Sequence, residues 1–257
     1  MHIYATNEHI LDEISRKLEI LKRNPRSHIL NGNCTKSCIN HEAITHSLRI
    51  EEPKSSPNSS HSGKEQSKMY NNMLSAFYWG RANLNLGKVS SEFIQKLAAR
   101  IDPNYHAGEF AEFRGITEAV RPTGATWTPV YPDKIPLEMQ RFVDKVNEIS
   151  TPSNTKGIVE ASSYAHLHLD RIHPFGDTNG RTSRMLQNLI LDSAGIPSAV
   201  IYEGERFGYF HLLNDAIIGW RERTGQKSNI PSSGERRLYD FMGGKISATL
   251  DKVIDAL

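Results

Sequence analysis

The sequence predicts a mainly α-helical fold with one short β-hairpin. Apolar residues recur at helical spacing in most segments between proline and glycine breaks. Residues 113–132 depart from that pattern, with four threonines, three prolines and several β-branched or aromatic residues. The 257 residues, 38% hydrophobic and 23% charged, suit one large globular domain with a helical extension.

The N-terminal part, residues 1–52, is predicted to be a helical region. Residues 7–23 form an amphipathic helix, and residues 40–51 form a second one. Residues 53–67 contain two prolines and six serines but no aromatic side chain, so we expect a flexible linker there. The helical stripe of residues 7–23 consists of Ile10, Leu11, Ile14, Leu18 and Leu21.

The main body is predicted to span residues 68–225, followed by a C-terminal helical extension over residues 226–257. Apolar spacing and capping residues predict the helices of both parts. The predicted helices cover residues 69–78, 91–100, 136–149 and 154–170, the segment after Gly180, and residues 205–219 and 235–256.

Composition excludes several classes of protein. A net charge of +2 gives no electrostatic argument for nucleic-acid binding, and the basic residues of the C-terminal extension are interspersed with acids. No apolar run reaches the roughly 20 residues of a membrane span. The N-terminus lacks the layout of a signal peptide. We therefore expect a bacterial cytoplasmic protein with no membrane partner; secretion into a host and a DNA-binding role for residues 226–257 are left open.

Two cysteines lie close together in the N-terminal region. Cys34 and Cys38 precede His41 and His46, and these residue types could bind zinc. Their spacing fits no common zinc-finger pattern, so the favoured interpretation is two small side chains on one face of a helical turn. Only two cysteines in a chain of this length indicate a reducing compartment without a disulfide framework.

The segment from His173 to Arg184 has the most informative composition in the chain. It reads HPFGDTNGRTSR and places one imidazole, one carboxylate, one carboxamide and two guanidinium groups in a glycine-containing turn between two apolar runs. Gly180 precedes a strongly periodic helix, and the N-terminus of a helix favours anions. This combination suits a nucleotide polyphosphate.

Each side chain of the segment has a candidate role. His173 can accept a proton near neutral pH, and Asp177 can bind Mg²⁺ beside phosphate oxygens. Asn179 offers a side-chain donor, and Arg181 and Arg184 lie on one side of the first helical turn. Taken one at a time, these residues could equally be solvated surface groups or helix caps. Their joint occurrence in this order favours the functional interpretation.

The segment resembles the signature of the Fic family, His-x-Phe-x-Asp/Glu-Gly-Asn-Gly-Arg-x-x-Arg. Eleven of its twelve positions are compatible. Thr178 is the departure, because the family usually has glycine there and a Cβ disfavours the left-handed conformation. The resemblance extends over about residues 40–220 and implies a Fic-type helical bundle with a β-hairpin flap. Thr126, Trp127 and Thr128 fall in the segment that looks like this flap, which holds the target by strand addition.

A second resemblance concerns the N-terminal region. Fic proteins often carry an inhibitory helix with the pattern Ser/Thr-x-x-x-Glu-Gly/Asn, and Ser47 to Glu51 fit it, although Glu52 replaces its last residue. The resemblance implies that Glu51 pairs with Arg184 and keeps it from the γ-phosphate of ATP. The alternative is an ordinary pair of residues four positions apart on a solvated helix.

The resemblance implies a protein adenylyltransferase that uses ATP and Mg²⁺. His173 would deprotonate a Tyr, Thr or Ser hydroxyl of a target protein, and Asp177 would hold Mg²⁺. Four residues, Thr178, Asn179, Gly180 and Arg181, would bind the α- and β-phosphates. The chain could also modify itself or form a homodimer. Removal of AMP, transfer of UMP, phosphate or phosphocholine, and a catalytically silent binding module are the alternatives.

Overall fold

The computed structural model describes residues 4–24, 35–51, 63–116, 120, 122–150 and 154–257. Cys34 and residues 53–62 of the predicted linker lie outside these residues. A helix begins at Gly63, so the last five residues of the predicted linker, 63–67, are helical. The division into domains at these boundaries stays a prediction.

The described part of the chain contains nine α-helices, and each predicted helix has a counterpart among them. Two short 3₁₀ turns, Pro132–Lys134 and Glu203–Glu205, precede α5 and α8. The helices are α1 (Glu8–Arg23), α2 (Thr35–Glu51), α3 (Gly63–Asn83), α4 (Ser91–Ile101), α5 (Ile135–Ile149), α6 (Thr155–Ile172), α7 (Asn179–Ser193), α8 (Arg206–Gly225) and α9 (Ser233–Asp255).

Side-chain caps explain why several helices begin where they do. The side chain of Asn7 accepts a hydrogen bond from the backbone of His9, at the start of α1. Ser90 and Asn154 cap α4 and α6 in the same way. Ser232 begins α9 with a reciprocal capping box. Such caps satisfy backbone donors that have no partner inside the helix.

Helices α6 and α7 form the centre of the molecule and pack against each other. Nearly every residue of both helices is buried, including their polar side chains. Helix α5 covers one side of α6, and α3 and α4 both contact α7. The loop that joins α6 to α7 therefore emerges between two helices that have little freedom to move.

Helix α2 lies across α7 and is attached along its length. Ile44 and Leu48 pack into the main core. Lys36 forms an ion pair with the buried Asp192 of α7, with 2.8 Å between Nζ and Oδ1. Further contacts join Ser198 Oγ to Asn40 Oδ1, at 2.7 Å, and Lys252 to Glu42. The C-terminal end of α2 is thereby directed toward the start of α7.

The predicted β-hairpin has no strand among its described residues. Residues 113–116, 120 and 122–131 are irregular, and residues 117–119 and 121 lie outside the described part. The fold is mainly helical as predicted, whereas the hairpin remains an expectation. None of the helices described here is long and apolar enough to cross a membrane.

Adjacent glycines of α9 provide a matched test of how tightly α1 packs. A Cβ added at Gly243 would lie 2.7 Å from Cγ2 of Ile10, whereas one added at Gly244 would meet nothing within 4 Å. We expect Gly243→Ala to lower the free energy of unfolding by about 1–3 kcal/mol through overpacking. Gly244→Ala should raise it by up to about 1 kcal/mol through helix propensity. Urea denaturation measures both, and equal effects would contradict this packing.

Candidate active site

The loop between α6 and α7 has a left-handed residue at each end. His173 ends α6 with φ 53° and ψ 58°, and its N–H donates to the carbonyl of Leu169. Thr178 precedes α7 with φ 70° and ψ −2°. Left-handed backbone is rare for residues other than glycine, and for a β-branched residue it is an outlier. Thr178 nevertheless adopts the left-handed conformation that glycine takes readily.

The side chain of Asn179 braces this loop. Its Oδ1 accepts from the N–H of Phe175 at 2.9 Å, and its Nδ2 donates to the carbonyl of the same residue at 2.8 Å. The Phe175 ring is fully buried and anchors the loop in the core. Its Oδ1 and one N–H of its Nδ2 therefore bond to the loop backbone, and phosphate binding by Asn179 stays a prediction.

His173 is buried in the pocket wall. Its side chain is 9% exposed, and its Nδ1 lies 3.3 Å from the carbonyl oxygen of Asp170. Burial, with a contribution from the charge of Arg114, lowers the pKa of His173 to about 4. The imidazole is therefore neutral at physiological pH and can accept a proton.

Asp177 and Arg181 form a charged group on the outer side of the loop. Asp177 is exposed, and its Oδ1 lies 3.3 Å from Nη2 of Arg181. Asp102 adds a second carboxylate 3.6 Å from Nη1 of Arg181. That Nη1 is buried and has no hydrogen-bond partner among the described residues. An orphaned guanidinium donor beside a loop of this kind fits an anionic oxygen.

Arg184 turns away from Arg181 and binds the end of α2. Its Nε donates to Ser47 Oγ at 2.8 Å, and its Nη2 donates to the Ser47 carbonyl at 3.1 Å and to Glu51 Oε1 at 2.7 Å. Ser47 is 5% exposed, so the pair is not on a solvated helix face. Burial alone would lower the pKa of Arg184. The negative charge of Glu51 outweighs this effect, and the pKa of Arg184 is raised.

The Glu51 carboxylate lies over the first turn of α7. A Cβ added at Gly180 would collide with Glu51 Oε1 and would come within 3.1 Å of Arg184 Nη1. The first turn of a helix leaves backbone N–H groups without intrahelical acceptors. An anion therefore already occupies the place where the sequence predicts phosphate binding.

The predicted flap segment lies against the site. Trp127 is buried, and its ring meets the His173 ring edge-on with 6.2 Å between centroids. The N–H of Thr126 donates to Asn214 Oδ1 at 3.2 Å, and the carbonyl of Thr128 accepts from Arg221. These two backbone groups of the segment are therefore bonded to side chains of α8.

A pocket lies beside His173, Arg184 and Glu51. It encloses about 410 Å³, part of it open to solvent, and lies between the α6–α7 loop, the end of α2 and α8. Its lining includes Glu51, Trp127, His173, Gly180, Arg184 and Tyr209. Asp177 and Arg181 are not among its lining residues.

The zinc interpretation gains no support from the described residues. They contain no group of three or more histidine, cysteine or acidic side chains that could hold a metal ion, and Cys34 lies outside them. Cys38 is exposed on α2. His46 instead accepts a hydrogen bond from the backbone N–H of Glu203, at 3.3 Å.

Several residues of the site were not predicted from the sequence. Asp170 is fully buried below the loop and accepts from Ser183 Oγ at 2.8 Å. His166 lies 2.7 Å from the Tyr209 hydroxyl and 3.5 Å from Asp170. The one available signal was a histidine and an acidic residue four positions apart, at 166 and 170, in one predicted helix.

The comparisons with known proteins agree with this geometry. Residues 88–191, which include the whole loop and its flanking helices, match the Fic/DOC family. The match identifies a Fic/DOC segment within residues 88–191 of this chain. The protein adenylyltransferases Fic of Drosophila grimshawi and Drosophila melanogaster are each 36% identical to it over 128 residues, or 50% of this chain. The chain covers only 24% of each fly protein.

Solved Fic structures share the fold. A Fic domain-containing signalling protein from Bacteroides thetaiotaomicron superposes with a TM-score of 0.75 at 18% identity, covering 96% of both chains. Fic-1 from C. elegans gives 0.70 at 20% identity, covering 96% of this chain and 71% of that one. A variant of IbpAFic2 in complex with adenylylated Cdc42 gives 0.59 at 14% identity, with coverages of 94% and 70%.

The buried Asp170 generates a prediction about stability and pH. Burial raises the pKa of Asp170 from its ordinary value of 3.8 to about 7. The protonated Asp170 therefore adds to the free energy of unfolding. This contribution is fully present below pH 4 and is lost as the pH rises through 7. His166 and His173, with pKa values lowered to about 3 and about 4, contribute in the opposite direction.

We expect Asp170→Asn to gain stability relative to the parent as the pH rises from 4.5 to 7.5, because asparagine does not ionise. Melting temperatures of both proteins across this range measure the difference. A difference that stays constant or shrinks with rising pH would contradict a buried, ionisable Asp170.

Proposed function

We propose that this protein transfers AMP from ATP to a hydroxyl group of a target protein and that Glu51 holds it inactive. The observation that carries the proposal is the Glu51 carboxylate, which lies against Gly180 and Arg184 at the start of α7. A site that binds one carboxylate through a guanidinium and a helix N-terminus is chemically suited to phosphate oxygens.

The proposed roles follow from where each group lies. His173, neutral and facing the pocket, removes the proton from the target hydroxyl, whose oxygen attacks the α-phosphorus as pyrophosphate leaves. The backbone N–H groups around Thr178, Asn179 and Gly180 bind the α-phosphate. The transition state is stabilised mainly by positioning and by neutralised charge.

The two arginines would divide the remaining phosphates. Arg181, with its orphaned Nη1, binds the β-phosphate. Arg184 binds the γ-phosphate once Glu51 has left. Asp177 is an exposed single carboxylate, which fits Mg²⁺ because this ion takes one or two carboxylates and completes its shell with phosphate oxygens and water. Bound there, Mg²⁺ would neutralise phosphate charge.

We further propose that the target is a protein and that residues 126–128 align its modified segment. The adenylyltransferase names of the fly relatives and the adenylylated Cdc42 bound to IbpAFic2 support a protein substrate. Residues 1–52 would form the regulatory part, residues 68–225 the catalytic body and residues 226–257 an extension. The chain is itself a candidate substrate, and a homodimer is the proposed assembly.

In the activated Glu51→Gly protein, taken as the parent, His173→Ala should lower AMP transfer by about 10²–10⁴-fold, because a positioned base typically contributes that much. Affinity for Mg·ATP should change little, since the substitution leaves Arg181, Arg184 and the α7 amides in place. Intact-protein mass spectrometry after incubation with Mg·ATP detects transfer, and calorimetric titration measures affinity. Transfer by the variant at the parent rate would remove His173 from the role of base.

Glu51→Gly should raise AMP transfer, because it removes the carboxylate that competes for Arg184. Labelling of proteins with radioactive ATP measures the change. Glu42→Gly is the matched control: it places a glycine in the same helix but breaks only the surface pair with Lys252. Equal activation by both variants would mean that loosening of α2, and not loss of the carboxylate, relieves inhibition.

Removal of AMP from a modified target is the second candidate function. The Glu51 side chain is 31% exposed and lines the same pocket as His173, so its carboxylate could orient an attacking water. The Glu51→Gly variant separates the two functions, because it should activate transfer but abolish removal.

A further inference from the structure

Thr178 has a strained backbone that the rest of the structure must maintain. Its φ of 70° is unfavourable for a β-branched side chain, because Cβ crowds the following carbonyl. Conformations of this kind persist only where neighbouring contacts over-determine them. Its carbonyl accepts from the N–H of Thr182 at 2.8 Å and its N–H donates to Asp177. Its hydroxyl makes one further contact.

That contact is with His106, in the irregular segment after α4. His106 Nε2 lies 3.1 Å from Thr178 Oγ1, and both side chains are almost fully buried, at 6% and 2% exposed. The His106 ring also meets the Phe175 ring edge-on, with 5.8 Å between centroids. One imidazole therefore touches both the anchor of the loop and its strained residue.

We propose that His106 is a positioning residue that holds Thr178 in the left-handed conformation by hydrogen bonding to its hydroxyl. The functional part of this inference rests on the proposed AMP transfer, since the conformation of residue 178 sets the direction of the phosphate-binding amides of α7. Neither the Fic signature nor the mechanism above uses His106. The pair compensates for a side chain at a position where glycine would need no support.

The surroundings of His106 suit this role. Its N–H donates to the carbonyl of Asp102 at 3.0 Å, and its carbonyl accepts from the N–H of Gly108 at 2.8 Å, so its backbone is fixed. Burial lowers the pKa of His106 although Asp102 and Asp177 oppose the effect. A neutral imidazole has one donor and one acceptor nitrogen, and either tautomer can bond to a hydroxyl.

A double-mutant cycle tests the proposal, with all variants in the active Glu51→Gly protein. His106→Phe retains an aromatic ring against Phe175 but removes the hydrogen bond to Thr178. We expect it to lower AMP transfer and the affinity for Mg·ATP by roughly tenfold, the value of one buried hydrogen bond. In a protein that also carries Thr178→Gly, the same substitution should change both quantities less than twofold.

The rescue by Thr178→Gly distinguishes positioning from simple packing. If His106 only filled space beside Phe175, His106→Phe would have the same effect in both backgrounds, and the proposal would be overturned. It would also be overturned if His106→Phe had no effect in the protein that retains Thr178. Thr178→Val, which keeps the β-branch but lacks the hydroxyl, should match His106→Phe, and combining the two should add little.

Melting temperatures of the same four proteins give a readout that does not depend on catalysis. His106→Phe should lower the melting temperature more with Thr178 present than with Thr178→Gly. If no variant transferred AMP or bound nucleotide, the proposed function would fail, but this thermal coupling would still support or overturn the pairing of His106 with Thr178.

Discussion

The site depends on a six-residue connection, residues 173–178, between two buried helices; its first and last residues both have left-handed backbone. His173 closes α6 and Thr178 opens α7, and neither is a glycine. Because both helices are buried along almost their whole length, they cannot move apart to relieve this strain. The connection therefore brings a neutral imidazole at the end of one helix close to the amide-rich start of the next. In the proposed mechanism, proton acceptance and anion binding would therefore both depend on this one geometric constraint.

Charge balance around Arg184 links that geometry to regulation. A buried guanidinium without a counter-charge is strongly destabilising, whereas a well-bonded pair is tolerated. In this structure Glu51 and Ser47 satisfy Arg184. A triphosphate would supply the same compensation through its oxygens. In the proposed mechanism, the Glu51 carboxylate and a nucleotide would therefore compensate the charge of Arg184 alternately.

The sequence was sufficient for the helices but not for the contacts between distant segments. Amphipathic spacing and capping residues such as Ser90 and Asn154 act locally, so the boundaries of α1, α4 and α5 were predicted to within one or two residues. The pairing of Glu51 with Arg184 was expected only through a family resemblance. His106 and Thr178 are 72 positions apart, and no periodicity connects them. The bonds from Asn179 to the backbone of Phe175 were not predicted either, because a motif shows which groups are present but not which of them the backbone uses.

The way α2 is attached determines how far it must move to free Arg184. Its first two turns are fixed by Lys36 on Asp192 and by Asn40 on Ser198, its third turn by the buried Ile44, and its last turn by the buried Leu48 and Ile50. Glu51 is its last residue and is only one-third exposed. Unwinding the final turn would move the Glu51 carboxylate away and would also release the buried Leu48 and Ile50, but it leaves Ile39 and Ile44 packed. Because helix ends open far more readily than buried helices dissociate, activation through this last turn requires much less free energy than release of α2 as a whole.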